Sequence, residues 1–557
     1  MNKHLTALAF ALVLGTTGIT GCASSPAGDA ATDASRAQVF EDLGVHRRDI
    51  TTTSPEAQLY FDQGLAWAYS FNHDEAIRSF SRAAELDPEC ALAWWGVALC
   101  QGPNYNDPQM TEERTAAAWE ALQEARARID NTSPLERSLI EALSQRYASS
   151  EPEDRSALEQ AYADAMAAVW KAYPEDSDVG TLYAEAMMVQ RPWKLYSAEG
   201  EPEGDTPTIV ATLERVMELD PGNPGANHLY IHAVEPSRTP EQGLAAADRL
   251  CNQVPDAGHM NHMPSHIYVQ VGQWGKSVDQ NAAALRADDH YRELSPDQGI
   301  QHMYMVHNAH MLAYSAMMVG REQEAMSAAR AMWSNVPEEV LEGVAPYIDL
   351  WMTSVFDVQK RFGRWEEILD EPAPPAFLPI TTAVWRAHRA IACAALKDFE
   401  GADREYEAFR AARAELPEDS VFSDDPVYRI LEVSDHFIAG EIELQKGEWM
   451  TAAEHLEDAV RVETELSYGE PPQWLQPTRH TLGAVYLKAG RFEEAERVYR
   501  ADLVKWPGNG WSLFGLGRAL QGQGKADAAR KVEEQFQAAW ALADEPTTTS
   551  CKCIPAT

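Results

Sequence analysis

At 557 residues, 45% of them hydrophobic and with glycine and proline (33 and 32) near average use, the chain can bury a large core and is neither fibrous nor globally disordered. Its 86 acidic residues against 46 basic ones give a formal charge of −40, which argues against binding nucleic acid or anionic lipid through a basic face. The balance suits a soluble surface and cationic ligands.

The chain opens with the short basic stretch Met1–His4, the apolar run Leu5–Leu14, and then Ile19-Thr20-Gly21-Cys22. The run is too short for a permanent span and reads as a signal-peptide core. Ile-Thr-Gly-Cys resembles a bacterial lipobox. Residues 1–21 are therefore expected to be a lipoprotein signal peptide, with Cys22 as the lipidated terminus. Ala23 resembles the pattern sent to the outer membrane, which would place the folded part in the periplasm. Ala23–Arg36 is small, polar and aperiodic, and residues 22–50 are assigned as a flexible tether. No later run reaches the roughly 18 apolar residues a membrane helix needs.

From Ser54 on, apolar residues recur at three- and four-residue steps, interrupted by Pro, Gly or Asp, so helix is expected almost throughout. Capping boxes with proline at the first position stand at Ser133-Pro134-Leu135-Glu136, Thr239-Pro240-Glu241-Gln242 and Ser295-Pro296-Asp297-Gln298. Residues 57–90 carry Tyr60, Gly64, Trp67, Ala76, Phe80, Ala83 and Pro88. Residues 476–509 carry Leu482, Gly483, Tyr486, Ala495, Tyr499 and Pro507, and the next unit has Leu513, Leu516, Gly517, Ala529 and Phe536. Small residues let helices approach, aromatics fill the seam and proline ends the second helix. This is tetratricopeptide (TPR) spacing, and the fold expected is an all-α solenoid of antiparallel helix pairs.

Irregular breaks fall at 198–207, 371–379 and 467–477. The proline-rich 371–379 is taken as a linker between an N-terminal superhelix (51–370) and C-terminal repeats (380–543), followed by a polar tail (544–557). Helices near 110–147 fit the period poorly and read as an insertion or as divergent repeats. Cys90, Cys100, Cys251 and Cys393 lie on helical patterns as small buried residues. Cys551-Lys552-Cys553 sits in the tail, where it can bind metal or pair, although an unstructured tail is the default.

Nine of the sixteen histidines fall between His228 and His310, seven of them in the blocks HLYIHAVE, HMNHMPSHIY and HNAH. His228 and His262 are 34 residues apart, as are His232 and His266. With Pro255 and Pro337 as repeat-ending prolines, all seven histidines of these blocks lie on first helices. His228 and His232 take positions 5 and 9; His259, His262 and His266 take 2, 5 and 9; His307 and His310 take 2 and 5, with Tyr314 at 9. Glu235 falls at position 12, and Asp178 and Glu185 align with the same face one repeat earlier. A lone histidine is usually a packed or capping residue. Seven on the groove face of adjacent helices, 8–10 Å apart, can instead converge on an ion held at about 2.0–2.1 Å. Pro264 is expected to start its helix and leave His259 and His262 in the preceding turn. Histidine with carboxylate suits zinc, iron or copper. Met260, Met263, Met303 and Met305 interleave and lean toward copper, although methionine more often fills a core. The loop Gly102-Pro103-Asn104-Tyr105-Asn106 reads as a connection. No HExxH, GxSxG, Walker A or GxGxxG motif is present.

The combination of FNHDEAIRSFSRAAELDP (71–88), CALAWWGVAL (90–99), HLYIHAVE, HMPSHIY and HNAHML resembles a group of exported bacterial TPR proteins over roughly residues 55–335. The resemblance implies fold and export and supplies no reaction. The first expectation is a lipid-anchored solenoid that binds a transition metal or small polar ligand through His228, His232, His259, His262, His266, His307 and His310. Its C-terminal repeats would dock a protein or peptide. A metal-dependent hydrolase or oxidase with Glu235 or Glu185 as base is the alternative, and a scaffold without metal is the third.

Overall fold

A computed structural model describes residues 37–554 except 198–199 and 296–297. The expected signal peptide, Cys22 and part of the Ser295 capping box lie outside the described residues. The remainder is an all-α solenoid in which successive helices pack as pairs: Pro55–Tyr69 on His73–Leu86, Gln301–Met318 on Glu322–Ser334, Pro379–Ala395 on Phe399–Glu415, and Gly510–Gly522 on Ala526–Ala539. First helices of neighbouring pairs also touch, which is the stacking of a repeat array. No helix among the described residues is long and apolar enough to cross a membrane.

The repeat signature has a steric origin. A Cβ built on Gly64 or Gly96 would lie 2.7 or 2.6 Å from the Phe80 ring, and one on Gly483 or Gly515 would lie 2.4 or 2.1 Å from Tyr499. In each case an aromatic of a second helix is gripped between glycines of the two flanking first helices. The pattern seen in the sequence is thus a close-approach rule stated twice, at opposite ends of the chain.

The array curls on itself. Pro55–Tyr69 packs on Pro224–Val234. At the far end, the Trp511 indole donates to the Met317 carbonyl (2.9 Å) and the Trp274 indole to that of Pro507 (2.8 Å). One apolar cluster holds Val269, Trp274, Met311, Tyr314, Trp385, Leu475 and Trp506 together and so joins the two ends.

Several local expectations change. Residues 37–50, assigned to the tether, lie docked: Phe40 is buried edge-on to Trp67 (4.9 Å), and Arg48 bonds Asp176 and Asp178 (2.9 and 3.0 Å). Ser133 forms its capping box, whereas Thr239 precedes a 3-10 turn without a side-chain cap. The helix Trp274–Leu294 continues past Asp288, and Gln301–Met318 starts before Met305. The tail is not unstructured up to residue 554. It folds back and buries a Cys551–Cys553 disulfide.

Candidate metal centre

Three first helices bring the histidines together. His228 and His232, one turn apart on Pro224–Val234, share a face, and Glu235 follows as the helix's C-cap. His259 and His262 lie on the short helix Gly258–His262. Pro264 starts the next helix, Pro264–Gln270, but Met263 between them keeps helical dihedrals, so His266 remains one turn below His262. His307 comes from Gln301–Met318. The rings of His228, His232, His259, His262, His266 and His307 form a chain of neighbours with centroids 4.7–6.3 Å apart.

Within this chain, the ligand atoms of His228, His232 and His259 lie within 4.8 Å of one another, as do those of His262, His266 and His307, and of His232, Glu235 and His266. All are buried except His307, which is half-buried.

The hydrogen bonds fix which nitrogen points inward. His228 Nδ1 meets the Tyr69 carbonyl at 2.7 Å, an acceptor left free in the last turn of its helix. His262 Nδ1 meets Asn281 Oδ1 at 2.7 Å, while the Asn281 amide donates to the Ser277 carbonyl, so the oxygen faces the ring. His232 Nδ1 meets Glu235 Oε1 at 2.7 Å, and His266 Nδ1 meets Glu235 Oε2. A carbonyl, an amide oxygen and a carboxylate only accept, so all four Nδ1 atoms carry the proton. Their Nε2 atoms in the neutral ring are then bare lone pairs. His262 and His266 Nε2 face each other at 2.7 Å, His228 and His259 Nε2 at 3.1 Å, and His232 Nε2 makes no hydrogen bond among the described residues. Two ligands on a tetrahedral ion at 2.0–2.1 Å stand about 3.3 Å apart. The rings are therefore already near the edge length of a coordination polyhedron.

The electrostatics keep most of these rings neutral. Burial, reinforced by the neighbouring imidazoles, drives His228, His259, His262 and His307 well below the ordinary histidine value. Burial also lowers His232, against the pull of Glu235. His266 is the exception, since Glu235 outweighs burial and raises it. Burial would raise Glu235, but His266 and His232 outweigh it and hold the carboxyl at about 2. Glu235 thus stays ionised as the acceptor that orients one ring of each histidine group, the arrangement that fixes tautomers at metal sites. An ionised, doubly bonded carboxylate is a poor general base near neutral pH.

The other sequence candidates lie elsewhere. His310 packs against Trp351 with ring centroids 5.6 Å apart, outside the ligand groups. Tyr314 is wedged between Trp274 and Trp506 (5.7 and 5.8 Å) in the joining core. Asp178 bonds His46 (2.9 Å), Arg48 and the Tyr69 hydroxyl (2.7 Å) and anchors the N-terminal segment. Glu185 lines a small cavity with His73 and Arg146, where burial raises it to about 7. Neither acid belongs to the histidine ligand groups found among the described residues. Met260, Met263 and Met305 belong to the N-terminal apolar core.

Sequence reasoning missed the walls. Phe71 (4.5 Å from His228), Tyr105 and Trp193 (5.3 and 5.2 Å from His232), Tyr304 (4.7 Å from His259) and Trp351 (5.1 Å from His307) enclose the rings. Phe71 and Trp193 have φ of 56° and 59°, rare for bulky residues and held only where packing over-determines them. The break at 467–477 also belongs here. The Tyr468 hydroxyl shares its single proton between Glu470 (2.5 Å) and Glu235 (3.1 Å), and burial raises Glu470 to about 7. Trp193 and Tyr468, 38% and 36% exposed, form the solvent side of the site.

No family model and no curated protein matches this chain. Among solved structures, it is similar to the human IFIT1 dimer with m7Gppp-AAAA, at 14% identity over 89% of this chain and 91% of that one, TM-score 0.31. It is also similar to the APC/C hetero-tetramer Cut9–Hcn1, at 14% identity over 88% and 74%, TM-score 0.27. The solenoid assignment rests on the helix pairing and the paired glycines.

Proposed function

We propose that this protein is a TPR-type solenoid whose histidine centre binds two neighbouring transition-metal ions. His228, His232 and His259 supply one site and His262, His266 and His307 the other, with Glu235 orienting a ring of each. The observation that carries this reading is the set of committed Nδ1 protons. Three buried neutral imidazoles, His228, His232 and His262, turn Nε2 lone pairs toward shared space, with His266 oriented beside them by Glu235, an arrangement suited to a cation. Neutral imidazole suits zinc, copper or iron. The same reading anchors the chain in a bacterial envelope through Cys22 and leaves the C-terminal repeats to dock a protein or peptide.

Metal analysis of untagged protein from metal-replete cells tests it. Up to two ions per chain are expected, and the joint variant His232→Ala with His266→Ala should lose them while keeping its helicity. Parent protein free of ions overturns the reading. Radiolabelled fatty-acid incorporation that depends on Cys22 tests the anchor. The partly exposed Trp193 and Tyr468 favour an exchangeable, reactive centre over a sealed one, and on that ground a metal-dependent hydrolase or oxidase is the second reading. Glu470, rather than Glu235, is then the acid poised to move a proton. Turnover by the loaded protein, lost in Glu470→Gln with ion content unchanged, is its test.

A further inference from the structure

A second cluster lies within the C-terminal repeats. After the last helix the chain turns back, with the Asp544 amide on the Gly320 carbonyl (3.1 Å), and enters the C-terminal half. There Ser550 Oγ bonds the Tyr499 hydroxyl (2.6 Å) and the Gln445 amide donates to the Cys553 carbonyl (2.6 Å). Cys551 and Cys553 are 3% and 4% exposed and lie against Thr481, whose hydroxyl is 3.4 Å from Cys551 Sγ. Beneath them, on the helix Val427–Lys446, is Glu441. It is 1% exposed, with Lys360 and Thr481 acting on it, one oxygen without a hydrogen bond among the described residues, and a carboxylate oxygen within 4.8 Å of both sulfurs.

A disulfide gains nothing from a buried carboxyl group. An apolar residue would fill the space without the cost of burying an acid with an open oxygen. Two thiolates and a carboxylate converging from a folded tail and a rigid helix are, by contrast, a donor set for a thiophilic ion.

We propose that on reduction Cys551, Cys553 and Glu441 form a metal site, separate from the histidine centre, for a thiophilic cation such as Zn2+. A dithiol reductant passes two electrons and two protons to the Cys551–Cys553 bond and leaves as its own disulfide. Binding then replaces both thiol protons with the ion, and Glu441 completes the set as carboxylate. Each ligand binds in its deprotonated form, so binding releases protons and weakens in acid. The Cα atoms of the two cysteines, 5.3 Å apart, are close enough for both sulfurs to reach one ion.

The test uses the full-length His232→Ala, His266→Ala protein, with or without a phosphine reductant, under anaerobic Co2+ titration. Thiolate-to-cobalt charge-transfer absorption is silent to histidine ligands. It should appear at one equivalent only after reduction and vanish when Cys551 and Cys553 are both serine. With the isosteric Glu441→Gln it should need more than about tenfold higher cobalt. No charge-transfer band in the reduced protein, a band surviving in the serine variant, or unchanged affinity in Glu441→Gln each overturns the proposal.

Discussion

The sharpest test of the histidine centre is Glu235→Gln, which conserves shape and volume and changes only what the side chain can accept. The carboxylate takes hydrogen bonds from His232 Nδ1 (2.7 Å), His266 Nδ1 and the Tyr468 hydroxyl (3.1 Å). An amide offers one acceptor oxygen and one NH2 group. If the oxygen stays with one imidazole, the NH2 meets the other donor to donor. That ring escapes only by moving its proton to Nε2, which removes the lone pair a metal needs. Losing an orienting partner of this kind weakens metal affinity 10- to 100-fold, or about 1.4–2.7 kcal/mol. At least one ion should weaken by that factor, read by competition against a chromophoric chelator, with circular dichroism confirming the fold. Glu441→Gln, remote from the histidines, is the control and should leave these affinities alone. Glu235→Gln protein that is folded and binds both ions within about twofold of the parent would refute the tautomer argument.

Other expectations follow from the same geometry. On the helix Gly510–Gly522, a Cβ at Gly515 would lie 2.1 Å from Tyr499, which Gly483 confines from the other side, whereas at Gly517 the nearest atom is 3.9 Å away. Gly515→Ala should cost about 1–3 kcal/mol and Gly517→Ala should gain about 0.5–1 kcal/mol, read as opposite shifts in thermal midpoint. Burial, with Arg114 and Arg146 nearby, lowers His73 to about 3. Between pH 6.5 and about 3 the unfolded chain therefore binds a proton there that the folded one refuses. The stabilisation is complete above 6.5 and lost on acidification, at about 1.4 kcal/mol per pH unit. His73→Asn should flatten urea midpoints against pH in that window. Trp193→Gly relieves a positive φ at the solvent side of the site and should speed ion release to a chelator without lowering stability.

How far the site could be read from sequence depends on which interactions repeat. Gly64, Phe80, Gly483 and Tyr499 recur at fixed spacing because each repeat solves the same packing problem, so the solenoid was legible from one dimension. The histidines were legible for the same reason: a 34-residue offset places His228 over His262 and His232 over His266 in any stacked array. The frame failed where it was extended to residues with no matching neighbour. Tyr314 takes the repeat position that His232 and His266 occupy, but its neighbours are Trp274 and Trp506, because there the array curls back and the groove closes into core. Asp178 and Glu185 sit on the right helix face, yet the docked segment 37–50 and Arg146 claim them. The parts that decide the chemistry, namely the Tyr69 carbonyl, Asn281, Tyr105 and Tyr468, come from a helix end, a second helix and two loops. Their contacts with the histidines and Glu235 span separations that no period encodes. Only the closed superhelix brings a loop at 467–477 onto a carboxylate at 235, and that contact turns a row of imidazoles into an enclosed site with an oriented proton on each of four rings.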